Sequence, residues 1–422
     1  MSRPIGIDLF AGVGGLSLGF EQAGFDVVAA VEIDPIHCAA HHFNFPKTKT
    51  ICRSVADLSG DDIRTLAKVG KRDVDVVFGG APCQGFSLIG KRAFDDPRNK
   101  LVYHFVRLVM ELNPKYFVFE NVKGLTVGKH RHFLEEIIAA FQLGGYRVVT
   151  DYKVLNAADY GVPQDRKRLF LMGAKDDLIL PHYPKPYGLT TVQEAIGDLP
   201  NVEKLPALWH RDWEAAEFGK PSIYAAFLRG KKDDPLNYGY TRRFDSSVLT
   251  SSLLTVHTDL SKGRFAATRQ GDVEPISRFK KLDPNGVCNT LRAGTASDRG
   301  AFTSPRPIHP TAARVITVRE AARLHSYPDW FRFHVTKWHG FRQVGNSVPP
   351  LLARAVASEI IKILGIQPEK PFEKMELGDE DLLGMNMSEA AKKFGVSDSV
   401  VAKRHRFEYP TKNILEESVS AA

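Results

Sequence analysis

Apolar residues over the first 175 positions follow two alternating rhythms. Ile5–Phe10, Val27–Glu32, Val74–Phe78, Tyr116–Glu120 and Leu169–Gly173 are short apolar runs, rich in β-branched or aromatic residues and bounded by Gly, Pro or Asp. Runs of that length and make-up predict largely buried strands. Between them, Leu16–Ala23, Pro35–His42, Asn99–Leu112 and Phe133–Leu143 space their apolar residues as a helix with one buried side does. The alternation predicts a doubly wound α/β fold, a mostly parallel Rossmann-like sheet with helices on both faces. Such sheets bind ligands beyond the carboxyl ends of their strands.

From about residue 176 to 312 the texture changes. Gly, Pro, Ser and Thr become frequent, helical spacing weakens, and strand-like pieces such as Ser252–Val256 are short. This predicts a separate, irregular domain. Amphipathic helices return at Thr317–His325 and Leu351–Leu364, which predicts that residues 313–366 complete the first domain (1–175). An acidic connector follows, then a compact segment over 387–406, within an extension covering 367–422.

Composition adds limits rather than an answer. The chain has 422 residues, 43% of them hydrophobic and 25% charged, with a formal net charge of +8. That is ordinary globular composition for two or three domains. Between Lys220 and Ala312 there are 15 Lys and Arg against 8 Asp and Glu, so most of the surplus sits in the loop-rich segment. A solvated surface and a nucleic-acid-binding face both account for it. No run approaches the roughly 20 apolar residues of a membrane span, and MSRPIGIDLF lacks a signal-peptide core. Cys38, Cys52, Cys83 and Cys288 form no CxxC pair, so neither a metal site nor a disulfide framework is expected. The expectation is a cytoplasmic enzyme.

Three features carry chemistry. IGIDLFAGVGGLSLGF sets Gly12, Gly14 and Gly15 between a strand and a helix, where backbone can approach a ligand closely. Ser17 stands where a dinucleotide fingerprint would have its third glycine, which counts against a nicotinamide or flavin. Glu32 ends the next apolar run and suits both hydroxyls of a nucleoside ribose. Asp57 is a second carboxylate, expected near an adenine amino group. Second, the strand ending at Phe78 runs into GGAPCQGFS, so Cys83 lies in a glycine-rich loop in the ligand crevice. A free thiol is only a few per cent thiolate at neutral pH, so cations should assist it, and QDRKR offers Arg166 and Arg168. Third, FVFENV brings Glu120 to another strand end, where it either donates a proton or caps the next helix. A nucleophile, an acid and a cation at one rim suit chemistry on an electron-poor heterocycle.

These blocks, with RVITVREAARLHSYPDWF and QVGNSVPPLLARAV, resemble the cytosine-C5 DNA methyltransferase family in the family's own order. The resemblance covers nearly all of residues 1–365. It implies S-adenosylmethionine as methyl donor, double-stranded DNA as substrate, and a cytosine flipped out of the duplex. Cys83 would attack C6, Glu120 would hold and protonate N3, and Arg168 and Arg166 would support the base carbonyl and its charge. Phe10, Gly12, Gly14, Gly15, Leu16, Glu32, Asp57, Pro82, Asn346, Ser347 and Val348 would bind the cofactor. Gln84, Ser87, Arg292 and Arg299 would contact DNA, the last two from the variable domain. A cognate restriction endonuclease and a monomeric state are further expectations. SEAAKKFGVSDSVVAKRHR has the small-residue, turn-glycine and aliphatic positions of a helix-turn-helix, and a helical hairpin packed on the body explains it equally. The competing functions are methylation of tRNA cytosine and DNA-binding regulation without catalysis.

Overall fold

The computed structural model describes residues 3–82, 100–128, 130–294 and 306–401. Its first half alternates β1 (Ile5–Leu9), α1 (Gly15–Ala23), β2 (Asp26–Glu32), α2 (Pro35–Asn44), β3 (Lys49–Cys52), α3 (Gly60–Leu66), β4 (Val76–Gly79), α4 (Lys100–Leu112), β5 (Tyr116–Val122) and α5 (His130–Leu143). Then come β6 (Tyr146–Val148), β7 (Lys153–Asn156) and β8 (Lys167–Lys175). The sheet order is β3-β2-β1-β4-β5-β8-β6, with β7 also paired to β8. β1 to β5 run parallel, while β8 lies antiparallel to β5. The doubly wound prediction holds, and the antiparallel edge is an addition to it.

Period-two alternation divides the core between the two faces. Val77, Phe117, Phe119, Leu169 and Leu171 pack with Phe105 of α4 and Phe141 of α5. Their neighbours Val76, Phe78, Val118, Phe170 and Met172 face the other way, onto Leu16 and Phe20 of α1. Each such side chain contributes about 1.5–3 kcal/mol when fully buried.

The described residues of the variable segment hold three α-helices, α6 (Val192–Ile196), α7 (Ile223–Leu228) and α8 (Asp259–Ala267), and the two-residue strands β9 (Glu214–Ala215), β10 (Thr241–Arg242) and β11 (Val248–Leu249). Few of its apolar residues recur regularly, and its backbone bonds accordingly close turns and isolated bridges. The chain then returns through α9 (Val318–Leu324), α10 (Lys337–Asn346) and α11 (Pro350–Ile363). Leu352, Val356 and Ile360 of α11 pack beside Leu16 and Phe20, against the second face of the sheet. Beyond α11 come β12 (Lys374–Met375), which pairs with β10, and α12 (Met387–Phe394). No helix among the described residues is long and apolar enough to cross a membrane.

Candidate active site

A cavity of about 430 Å³ lies past the carboxyl ends of β1, β2, β4 and β5, where the sheet topology predicts a ligand. Its floor is the turn after β1. Phe10 and Gly14 both take left-handed backbone there, with φ of 65° and 102°. A Cβ on Gly15 would fall inside 3.0 Å of the Val348 carbonyl and the Tyr327 hydroxyl. That close approach seats the segment before α11 directly on the start of α1. Glu32 is held in place by three backbone N–H donors, from Gly12 at 2.8 Å and from Ile33 and Asp34 at 2.9 Å each. Phe10, Gly12, Gly15, Leu16, Glu32, Pro82, Asn346, Ser347 and Val348 all line the cavity.

Two of the expected cofactor residues stand elsewhere. Gly14 faces α2, where a Cβ would meet the Phe45 ring. It shapes the turn without forming the wall. Asp57 is exposed and lies outside the lining. Ser54 caps a tight turn over Val55–Asp57 and carries Asp57 past the cavity, leaving Arg53, Ser54 and Val55 as the wall.

The opposite rim holds the acid. Because β8 is antiparallel, its first residues reach the carboxyl ends of the parallel strands, and Arg168 pairs with Val122. Arg168 and Glu120 then sit diagonally on one face, and their side chains meet at 2.9 Å between Nε and Oε1. Glu120 is 8% exposed. Burial pushes its carboxyl above the ordinary range, with the guanidiniums of Arg168 and Arg166 pulling the other way. Asn121 beside it donates to the Ala81 carbonyl at 3.1 Å. This fixes the β5 end against the segment leading to position 83.

Arg166 has a different task from the one expected. It is buried, absent from the cavity lining, and donates to three backbone carbonyls at 2.8 Å each: Leu291, Gly345 and Ser347. A guanidinium whose two Nη groups are bonded in this way is a clamp. It ties the variable domain and the pocket wall to β8, and it reaches Glu120 only through its charge.

Cys83, Gln84, Ser87 and Arg299 lie outside the described residues. The other three cysteines are buried, and burial pushes the Cys38 and Cys288 thiols up, away from the thiolate form. Arg292 is exposed, with its backbone packed against Gly345. Sequence reasoning passed over Gly80, His37 and Arg342. A Cβ on Gly80 would fall inside 3.0 Å of Glu120 Oε2, whereas His37 and Arg342 line the cavity. The doubled glycine of GGAPC was the one available signal.

The family model described as C-5 cytosine-specific DNA methylase matches residues 5–362. The chain belongs to that family. It is a methyltransferase, with S-adenosylmethionine implied as methyl donor. Type II methyltransferase M.XorII of Xanthomonas oryzae pv. oryzae is 73% identical over 406 residues, covering 96% of each chain. Type II methyltransferase M1.HphI of Haemophilus parahaemolyticus is 38% identical, covering 85% of this chain and 86% of its own. Among solved structures, a prophage-encoded E. coli protein assigned as a DNA modification methyltransferase has a TM-score of 0.71 at 36% identity, covering 86% of this chain and all of its own.

Proposed function

We propose that this methyltransferase acts on one cytosine within a short specific sequence of double-stranded DNA, and that its residues divide the work as follows. The flipped cytosine enters beside Glu120 and Arg168. The Cys83 thiolate forms a bond to C6, while Glu120 gives a proton to N3, so the electron pair released towards the ring does not build up as charge. Arg168 hydrogen-bonds the base carbonyl and keeps Glu120 in place. Bound in the cavity over Glu32, S-adenosylmethionine supplies an electrophilic methyl group for C5. The donor's sulfur leaves as the thioether of S-adenosylhomocysteine, and loss of the C5 proton, return of the N3 proton to Glu120 and departure of Cys83 as thiolate then restore the aromatic ring.

The observation that carries this reading is the buried Glu120–Arg168 pair on the same cavity as the anchored Glu32. A nucleoside site and a proton donor on opposite rims of one cavity suit group transfer to a base. The basic variable domain supports duplex DNA as the partner, with Arg292 and Arg299 as contacts to DNA. The relatives' Type II names support protection against a cognate restriction endonuclease.

The test is bisulfite sequencing of DNA from cells expressing the wild type or Cys83→Ala. Protected cytosines in one recurring motif, absent in the variant, are expected. Unprotected DNA with methylated tRNA would overturn the DNA reading. Protection that survives the substitution would overturn the covalent one.

A further inference from the structure

The family match ends at residue 362, and the extension beyond it is stitched to the body along its described length. Met375 is buried, and the strand it ends pairs with β10. Gly378 N–H donates to the Phe43 carbonyl at 2.8 Å, and Val335 N–H to the Leu383 carbonyl at 3.0 Å. Leu382 and Leu383 are buried in one cluster with Phe331, Phe333 and the α2 residues Ala39 and Phe43. α12 follows, with Asn386 and Glu389 forming a capping box at its start. Its apolar positions are already occupied: Ala390 and Ala391 are buried and Phe394 packs on the cluster that contains α2.

Position explains why this docking bears on function. α2 begins three residues after Glu32, and its Asp34 cap and His37 both line the cavity. His37 Nε2 is buried and has no hydrogen-bond partner among the described residues. It suits a hydrogen bond to a bound ligand. α12 backs this helix from outside. The chain then turns at Gly395, in left-handed backbone with φ of 65°, and Val401 joins the wall of the same cavity. The family core therefore does not enclose the cavity alone.

We propose that the C-terminal extension is a working part of the cofactor site, with Val401 as a wall residue and α12 as the support that holds α2 and His37 in position. The proposal rests on the reading of this cavity as the S-adenosylmethionine site. Its rival is a DNA-binding helix-turn-helix over 387–406. The two differ in which ligand should suffer when the extension is disturbed.

The test uses full-length protein carrying Val401→Asp or Ala391→Arg, with Glu32→Ala as the control for the cavity itself. S-adenosylhomocysteine affinity is measured by calorimetry and duplex DNA affinity by fluorescence anisotropy. Losing an apolar wall or the α2 support is expected to weaken S-adenosylhomocysteine by roughly tenfold, with duplex affinity unchanged. Val401 is only partly buried, so Val401→Asp stays informative if Ala391→Arg fails to fold. Unchanged S-adenosylhomocysteine affinity in both extension variants, with a loss in Glu32→Ala, overturns the role of the extension and leaves the cavity reading standing. No loss in Glu32→Ala overturns the cavity reading. Loss of duplex affinity alone in the extension variants supports the rival.

Discussion

Gly80→Ala isolates the placement of the acid from everything else in the site. Gly80 has ordinary backbone dihedrals, so a methyl group there brings no backbone strain. What it meets is Glu120 Oε2, inside 3.0 Å. Restoring an ordinary contact of 3.4 Å moves the carboxylate by roughly 1 Å. The 2.9 Å bond to Arg168 Nε has to lengthen or rotate with it. Misplacement of a reacting group by that distance costs about 100-fold in rate, or about 2.7 kcal/mol of barrier. Stability should fall by only about 1–2 kcal/mol, because one flexible carboxylate gives way. The assay is single-turnover transfer of labelled methyl to substrate DNA, beside S-adenosylhomocysteine affinity and a thermal melt. Gly79→Ala is the contrast: its Cβ would strike the Leu9 backbone carbonyl, so it should fail by unfolding. A folded Gly80→Ala with wild-type single-turnover rate would refute the placement argument. Equal losses in rate and cofactor affinity would show that the methyl disturbs the whole cavity.

Arg166→Ala removes the shared donor of three carbonyls, those of Leu291 and Gly345 buried, and should destabilise by about 3 kcal/mol or more, with weaker cofactor affinity because Ser347 keeps only its contact with His325. A loss of rate with neither change would return Arg166 to the chemistry. Arg168→Gln removes a cation that favours the Glu120 carboxylate, so the Glu120 pKa should rise further. Since the acid acts while protonated, the alkaline limb of the pH–rate profile should move to higher pH even as the rate falls, and a limb that stays put speaks against Glu120 as that group. Asp8 is buried, accepts from Ser17 Oγ at 2.6 Å, and is pushed up to about 8 by burial. Between its ordinary 3.8 and about 8 the folded state binds more protons than the unfolded, so stability falls as pH rises through that window, by up to about 1.4 kcal/mol per pH unit. Asp8→Asn should flatten that slope in melts from pH 5 to 8, and identical slopes would contradict it.

Much of the site was legible because its residues follow strands. The runs Ile5–Phe10, Val27–Glu32 and Tyr116–Glu120 each ended where a ligand-facing residue was expected, and Glu32 and Glu120 occupy those ends because a parallel sheet puts all its carboxyl termini at one rim. Arg168 was legible in place but not in geometry: only the antiparallel pairing of β8 turns its first residues towards Glu120. α10 gave no clear helical signal. KWHGFRQVGN mixes glycine, aromatic and cationic residues, and its tertiary partners hold it in shape.

Local rhythm and motif order were enough to determine the layered α/β core and the family chemistry, because both are written in short contiguous segments. Long-range packing decided the rest. Arg166 became a clamp because Leu291, Gly345 and Ser347, each more than a hundred residues away, offered their carbonyls to one guanidinium. Asp57 left the cavity because a single capped turn rotates it into solvent. Val401 joined the cavity because α12 docks on α2. A linear pattern records which residues want burial; where a buried donor finds its acceptor depends on chain segments that meet only in the folded protein.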